Sequence, residues 1–243
     1  MPGVQFTSRR SFVVFAGSVA LAGLVGCSSN DGEETVPSES DQSGITVLPE
    51  AEDPKPAEII ESGYSVSEGG FIHYGIIWKN PNSENAIEFP TLLITGKAED
   101  GSIVFSDEQV MGTILPGEEQ CFGTQAGNGT VPATVEFAVS PGRATYRKTD
   151  EKPRQCFEFS NGSEVVGDFN VSYTGEMTSN VDLGDIRQVW VTVLIRDAEG
   201  KICYAENTFV DVPAVGQSMP FEVSIFGDIP EHASFEFFGL PWF

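Results

Sequence analysis

The side chains that could do chemistry are few and scattered. His73 and His232 are the only histidines, so a Ser-His-Asp triad or a Cys/His zinc site has little to be built from. Cys121 follows Gly117-Glu118-Glu119-Gln120 with no histidine beside it, which lacks the electropositive setting that makes a reactive thiolate. Cys156 and Cys203 fall in one later stretch of the chain and are candidates for an intradomain disulfide. A loop of that length would stabilise by ~3–4 kcal/mol in the chain-entropy account. Their counterparts in the internal repeat described below are Ile59 and Val104, which also fits ordinary core positions held by a small hydrophobe. Asp182 and Asp185, with Asp197 and Glu199, could join a loop calcium site. Their spacing fits no EF-hand, and solvated turn acids are the other reading. No catalytic residue, metal or cofactor is expected.

Charge narrows the partners. Lys and Arg number 13 against 36 Asp and Glu, a formal −23. No basic stripe exists to displace counterions from a phosphate backbone, which excludes nucleic acid.

The first 27 residues concentrate another kind of chemistry. Arg9 and Arg10 stand in Ser8-Arg9-Arg10-Ser11-Phe12, ahead of an uncharged apolar run from Ser11 to Gly26. That run is shorter than the ~20 residues that span a bilayer core, so it reads as an export signal. The paired arginines resemble a twin-arginine signal, and Leu24-Val25-Gly26-Cys27 resembles a lipobox. The resemblance implies cleavage before Cys27 and a diacylglyceryl thioether on its sulfur, and two acyl chains satisfy the requirement for stable anchoring.

The elements that must position everything else follow. Residues 27–57 carry eight acids among Ser, Gly and Pro with no aromatic side chain, the composition of a disordered acidic tether. Beyond it the sequence repeats at an offset of 99. Tyr74 matches Tyr173, Ile87 matches Ile186, Gly101 matches Gly200, Gly117 matches Gly216 and Phe122 matches Phe221. Both copies alternate apolar and polar residues, as in Ile72, Tyr74, Ile76 and Trp78, and turn at Glu99-Asp100-Gly101 and Glu199-Gly200. Such a pattern predicts short antiparallel strands joined by tight turns. With one residue deleted, Phe137 of the first copy matches Phe235 of the second. The expectation is therefore an all-β fold: two tandem antiparallel sandwiches over residues 58–142 and 153–243, joined by a linker at 143–152 and preceded by a signal at 1–26.

Val193-Leu194-Ile195-Arg196-Asp197-Ala198-Glu199-Gly200, with Asp197 and Gly200 in register, resembles the strand end and glycine turn of FxLYD-like lipoprotein domains. Trp78-Lys79-Asn80-Pro81-Asn82 is similar to the strand-to-loop segment of that group. The resemblance implies immunoglobulin-like sandwiches in an extracytoplasmic setting and supplies no catalytic residues. The chain then reads as a lipoprotein on the outer face of the cell membrane, binding or presenting to an envelope protein or glycan. The rival is a cation- or solute-binding accessory of a membrane transporter. Eighteen Phe residues include the ending Phe235-Glu236-Phe237-Phe238-Gly239-Leu240-Pro241-Trp242-Phe243. There Phe238, Leu240, Trp242 and Phe243 either seal a sandwich edge or the seam between domains, or present a partner-binding patch.

Overall fold

The structure is a computed structural model that describes residues 53–140 and 142–242. The signal residues Arg9 and Arg10, the lipidation candidate Cys27, most of the tether, and Phe243 lie outside the described residues. Within them the chain is all-β, and its fourteen strands form antiparallel sheets.

Each copy of the repeat is a sandwich of two three-stranded sheets. In the first, β1 (Glu58–Val66), β2 (Ile72–Lys79) and β6 (Glu119–Ala126) face β5 (Ile103–Val110), β4 (Thr91–Lys97) and β7 (Thr134–Val139). In the second, β9 (Phe157–Val166), β10 (Asn170–Ser179) and β13 (Ser218–Phe226) face β12 (Ile202–Asp211), β11 (Gln188–Arg196) and β14 (Ser234–Trp242). The central strands carry the alternation that the cores require. Ile72, Tyr74, Ile76 and Trp78 of β2 are buried against Leu92, Ile94 and Phe122, and Trp78 meets Phe122 edge-on at 4.8 Å. Tyr173, Met177, Val191, Val193 and Val223 form the corresponding core of the second sandwich. Gly101 and Gly200 take φ of +83° and +80° in matching turns, a conformation that a Cβ disfavours.

The offset of 99 holds through the pairing itself. Ile72 stands opposite Ala126, and Val171 stands opposite Ile225. The last strand departs from expectation. Ile94 pairs with Phe137 and Val193 with Phe237, so Phe137 corresponds to Phe237, not Phe235. One residue is inserted ahead of β14, not deleted. The two alignments differ by two positions, and a shift of two leaves every side chain on its original sheet face. Alternation alone could not separate them.

The segment expected to join the sandwiches contains β8 (Thr145–Lys148), which pairs with β3 (Asn85–Glu88) and sets Tyr146 opposite Ile87. Its basic residues face acids of the first sandwich, with Arg147 Nε 2.6 Å from Glu88 and Lys148 Nζ 2.9 Å from Glu84.

The two sandwiches form one compact unit. The sheet β12-β11-β14 lies on the outer face of β1-β2-β6, giving four stacked layers. β12 lies against β1, β2 and β6, whereas β6 lies against β12, β11 and β14, so the strands of the two sheets cross. Residues 189–195 of β11 are consequently buried on both faces.

Candidate functional site

Glycines make the seam between the sandwiches close. A Cβ on Gly75 would stand 2.5 Å from Leu194 Cδ1, one on Gly123 would overlap Ala205 Cβ, and one on Gly63 would overlap the Ile202 carbonyl. Into this contact are packed Cys121, Leu194, Ile202 and Ala205, with Ile77 and Phe238 around them. Polar bonds fix the crossing. The Arg196 guanidinium donates to Glu61 of β1 at 2.6 Å and to Glu236 of β14 at 2.8 Å. Asn207 Nδ2 donates to the Gly123 carbonyl at 2.9 Å. His73 Nδ1 donates to Glu206 at 3.2 Å while its Nε2 faces Gln125, and its ring stacks on Tyr204 at 4.5 Å. Both ring nitrogens are thereby satisfied in one neutral tautomer.

The seam also holds the aromatic ending. Phe238 packs on Cys121 and its neighbours, and Trp190 belongs to the apolar cluster of the first sandwich, with Leu240 and Trp242 against that cluster. Trp242 meets Trp190 at 5.0 Å and Phe209 at 5.4 Å. Phe238, Leu240 and Trp242 are partly buried in this joint.

The thiols stay apart. Cys121, Cys156 and Cys203 are all free. Cys156 precedes β9 and Cys203 lies in β12, which are edge strands on opposite sides of the second sandwich. The bridge considered for Cys156 and Cys203 is therefore not formed: the topology separates two positions that sequence spacing alone left compatible. Burial, with Glu236 and Glu61 nearby, pushes the Cys121 thiol well above its ordinary range, which removes the nucleophilic thiolate.

His232 Nδ1 donates to the Pro230 carbonyl at 3.0 Å, and its Nε2 lies 3.1 Å from the Tyr173 hydroxyl and 3.2 Å from Glu164. Burial, then Glu164 and Cys203, raises the Tyr173 pKa, so the phenol keeps its proton. The turn acids act locally. Asp182 accepts from the Gly184 amide, and Asp197 accepts from the amides of Glu199 and Lys201.

The feature that a reading by residue type passes over lies where the two copies differ. In the first sandwich, buried Asn80 donates to the carbonyls of Asn85 and Ile114 at 2.8 and 2.9 Å and accepts from the Asn82 amide at 2.9 Å. Ile87 and Ile114 exchange backbone hydrogen bonds at 3.0 and 2.9 Å, and Tyr146 of β8 covers Ile87. This end is closed. In the second sandwich the offset of 99 places Ser179 at Asn80 and Pro213 at Ile114. The Ser179 hydroxyl reaches only Val181, at 2.9 Å. Pro213 has no N–H to donate, and Val212 bonds the Arg187 carbonyl in its stead. No strand corresponding to β8 pairs there among the described residues. The two loops part around a cleft of about 420 Å³, lined by Leu183, Ile186, Val212 and Pro213 with Asp182 and Asp211 beside them. The signal was present in the repeat as Asn80 against Ser179 and Ile114 against Pro213. At the opposite end of this sandwich, Phe169 and Phe226 are 86% and 78% exposed.

No protein-family model matches the chain, and no curated protein matches it in sequence.

Proposed function

We propose that the chain is a lipoprotein anchored to the extracytoplasmic face of the cell membrane, whose two immunoglobulin-like sandwiches form a non-catalytic body that binds an envelope partner. The observation that carries the reading is the open cleft of the second sandwich, at a place that the first sandwich fills with its own strand. The recess mixes apolar side chains with Asp182, Arg187 and Asp211, and a concave surface with a few convergent polar groups is a usual form of binding site. The residues richest in chemical potential are otherwise engaged: both histidines in hydrogen bonds, Cys121 in the seam, and Asp182 and Asp197 in their turns. The membrane anchor is supported by Arg9, Arg10 and the Leu24–Cys27 motif.

Fractionation of cells expressing the full chain tests the anchor. Wild type is expected in the membrane fraction and Cys27→Ser in the soluble one; a Cys27→Ser chain still in the membrane would overturn the anchor. Retention of an envelope component on the immobilised chain is expected, and its absence would count against the binding reading.

A further inference from the structure

We infer that the cleft between the β10–β11 and β12–β13 loops accepts an extended segment of a partner protein, anchored by one aromatic side chain and flanked by Arg or Lys. The inference rests on the binding reading above and names the chemistry of the partner. The first sandwich supplies the precedent. There the matching place is covered by Thr145-Tyr146-Arg147-Lys148, with Tyr146 opposite Ile87 and packed on the core. Ile186 is the counterpart of Ile87 and lines the cleft together with Leu183 and Val212. An aromatic ring that enters there finds the same kind of apolar surface that Tyr146 finds on the first copy. Two substitutions change how the loops are tied there: the Ser179 hydroxyl bonds Val181 where Asn80 reaches Ile114, and the Val212 amide bonds Arg187 where Ile114 bonds Ile87.

Charge selects the flanking residues. Asp182 and Asp211 line the cleft and Asp185 lies beside it, against Arg187 alone. The second sandwich, residues 153–243, carries fourteen acids and four bases. The segment 143–152 that covers the first copy carries Arg143, Arg147, Lys148 and Lys152 against Asp150 and Glu151. A basic partner segment meets a complementary field, whereas an acidic one is repelled on approach. The open volume of about 420 Å³ falls within the range of sites that hold one anchoring group and its neighbours.

The test uses the full chain and a defined probe, a blocked peptide of the sequence Arg-Ala-Thr-Tyr-Arg-Lys-Thr-Asp, copied from residues 143–150. Binding is followed by NMR shifts and fluorescence anisotropy. Shifts are expected at Leu183, Ile186 and Val212. Replacing the peptide tyrosine by serine should weaken binding at least about tenfold, the scale of one buried aromatic anchor. Replacing its two central basic residues by glutamine should weaken it several-fold and reduce the salt dependence. In the chain, Asp182→Asn, which keeps an acceptor for the Gly184 amide, with Asp211→Lys at an exposed position should weaken binding by about tenfold.

Binding insensitive to all the cleft substitutions, or no binding at millimolar peptide, would overturn the inference. So would concentration-dependent self-association of the chain that the same substitutions abolish, since the occupant would then be a second copy. If envelope retention persists while the peptide fails, this inference falls and the binding reading stands. If wild type retains nothing from the envelope, the reading itself falls.

Discussion

At the residue scale, a buried polar chain shows how this molecule handles ionisable groups. Trp78 Nε1 donates to Gln120, and Gln120 Nε2 donates to the Thr113 carbonyl and to Glu118. Glu118 also accepts the Leu115 amide at 2.7 Å. Burial raises the Glu118 pKa, outweighing the lowering by Leu115 and Gln120. A carboxylate whose folded pKa lies above its unfolded one is stabilising while protonated in both states, and that contribution is lost as pH rises through the unfolded and then the folded value. Glu118→Gln keeps an acceptor for Leu115 and has no charge to bury. Its stability relative to wild type should therefore increase as pH goes from about 4 to about 7, across the ordinary glutamate range. Urea midpoints at the two pH values check this; a difference that shrinks on the way to neutrality contradicts it.

At the element scale, β8 holds four residues and much of the difference between the copies. Tyr146 is partly buried against the core of the first sandwich. Tyr146→Ala should destabilise by about 1–3 kcal/mol, the range for truncating a partly buried large side chain, and should leave the second sandwich unchanged. Denaturant unfolding gives the magnitude. Shifts confined to residues around Ile87 in NMR spectra locate it, and a change in the second core would count against β8 serving the first sandwich alone. How legible such elements are depends on their length. β2 and β10 are eight and ten residues long and announce themselves by alternation. β3 and β8 are four residues each, too short for a period to emerge, and β8 lies in an Arg- and Lys-rich stretch that has the composition of a linker. The glycine turns at Gly101 and Gly200 were readable because a positive φ has a residue preference. The register of β14 was not, since two alignments two residues apart satisfy the same pattern. The cleft was legible only as two substitutions between copies, and their meaning depends on Asn80 bonding to two carbonyls that sequence does not place together.

At the scale of the whole molecule, the crossing of the sandwiches decides how the body behaves. From Ile59 onward there are 27 acids and 10 bases, so mutual repulsion opposes the contact and apolar burial must hold it. Cys121, Leu194, Ile202 and Ala205 are at most 5% exposed. Fully burying one large aliphatic side chain stabilises by roughly 1.5–3 kcal/mol, so this small set contributes on the order of a single domain's net stability of 5–15 kcal/mol. Neither sandwich should then unfold much before the other, and thermal unfolding should show one transition. Gly75 identifies the contact as the cause. It lies in β2 with no left-handed φ, and the atoms nearest to an added Cβ, from Leu194, Ile202 and Ala205, all belong to the other sandwich. Gly75→Val should force the sheets apart, split the transition in two by calorimetry, and expose Cys121 to a thiol reagent that wild type resists. Moderate salt should narrow the gap between the two transitions by screening the acidic faces. A single unsplit transition in Gly75→Val, with Cys121 still protected, would show that the joint tolerates a side chain and that the glycines are not what sets its distance.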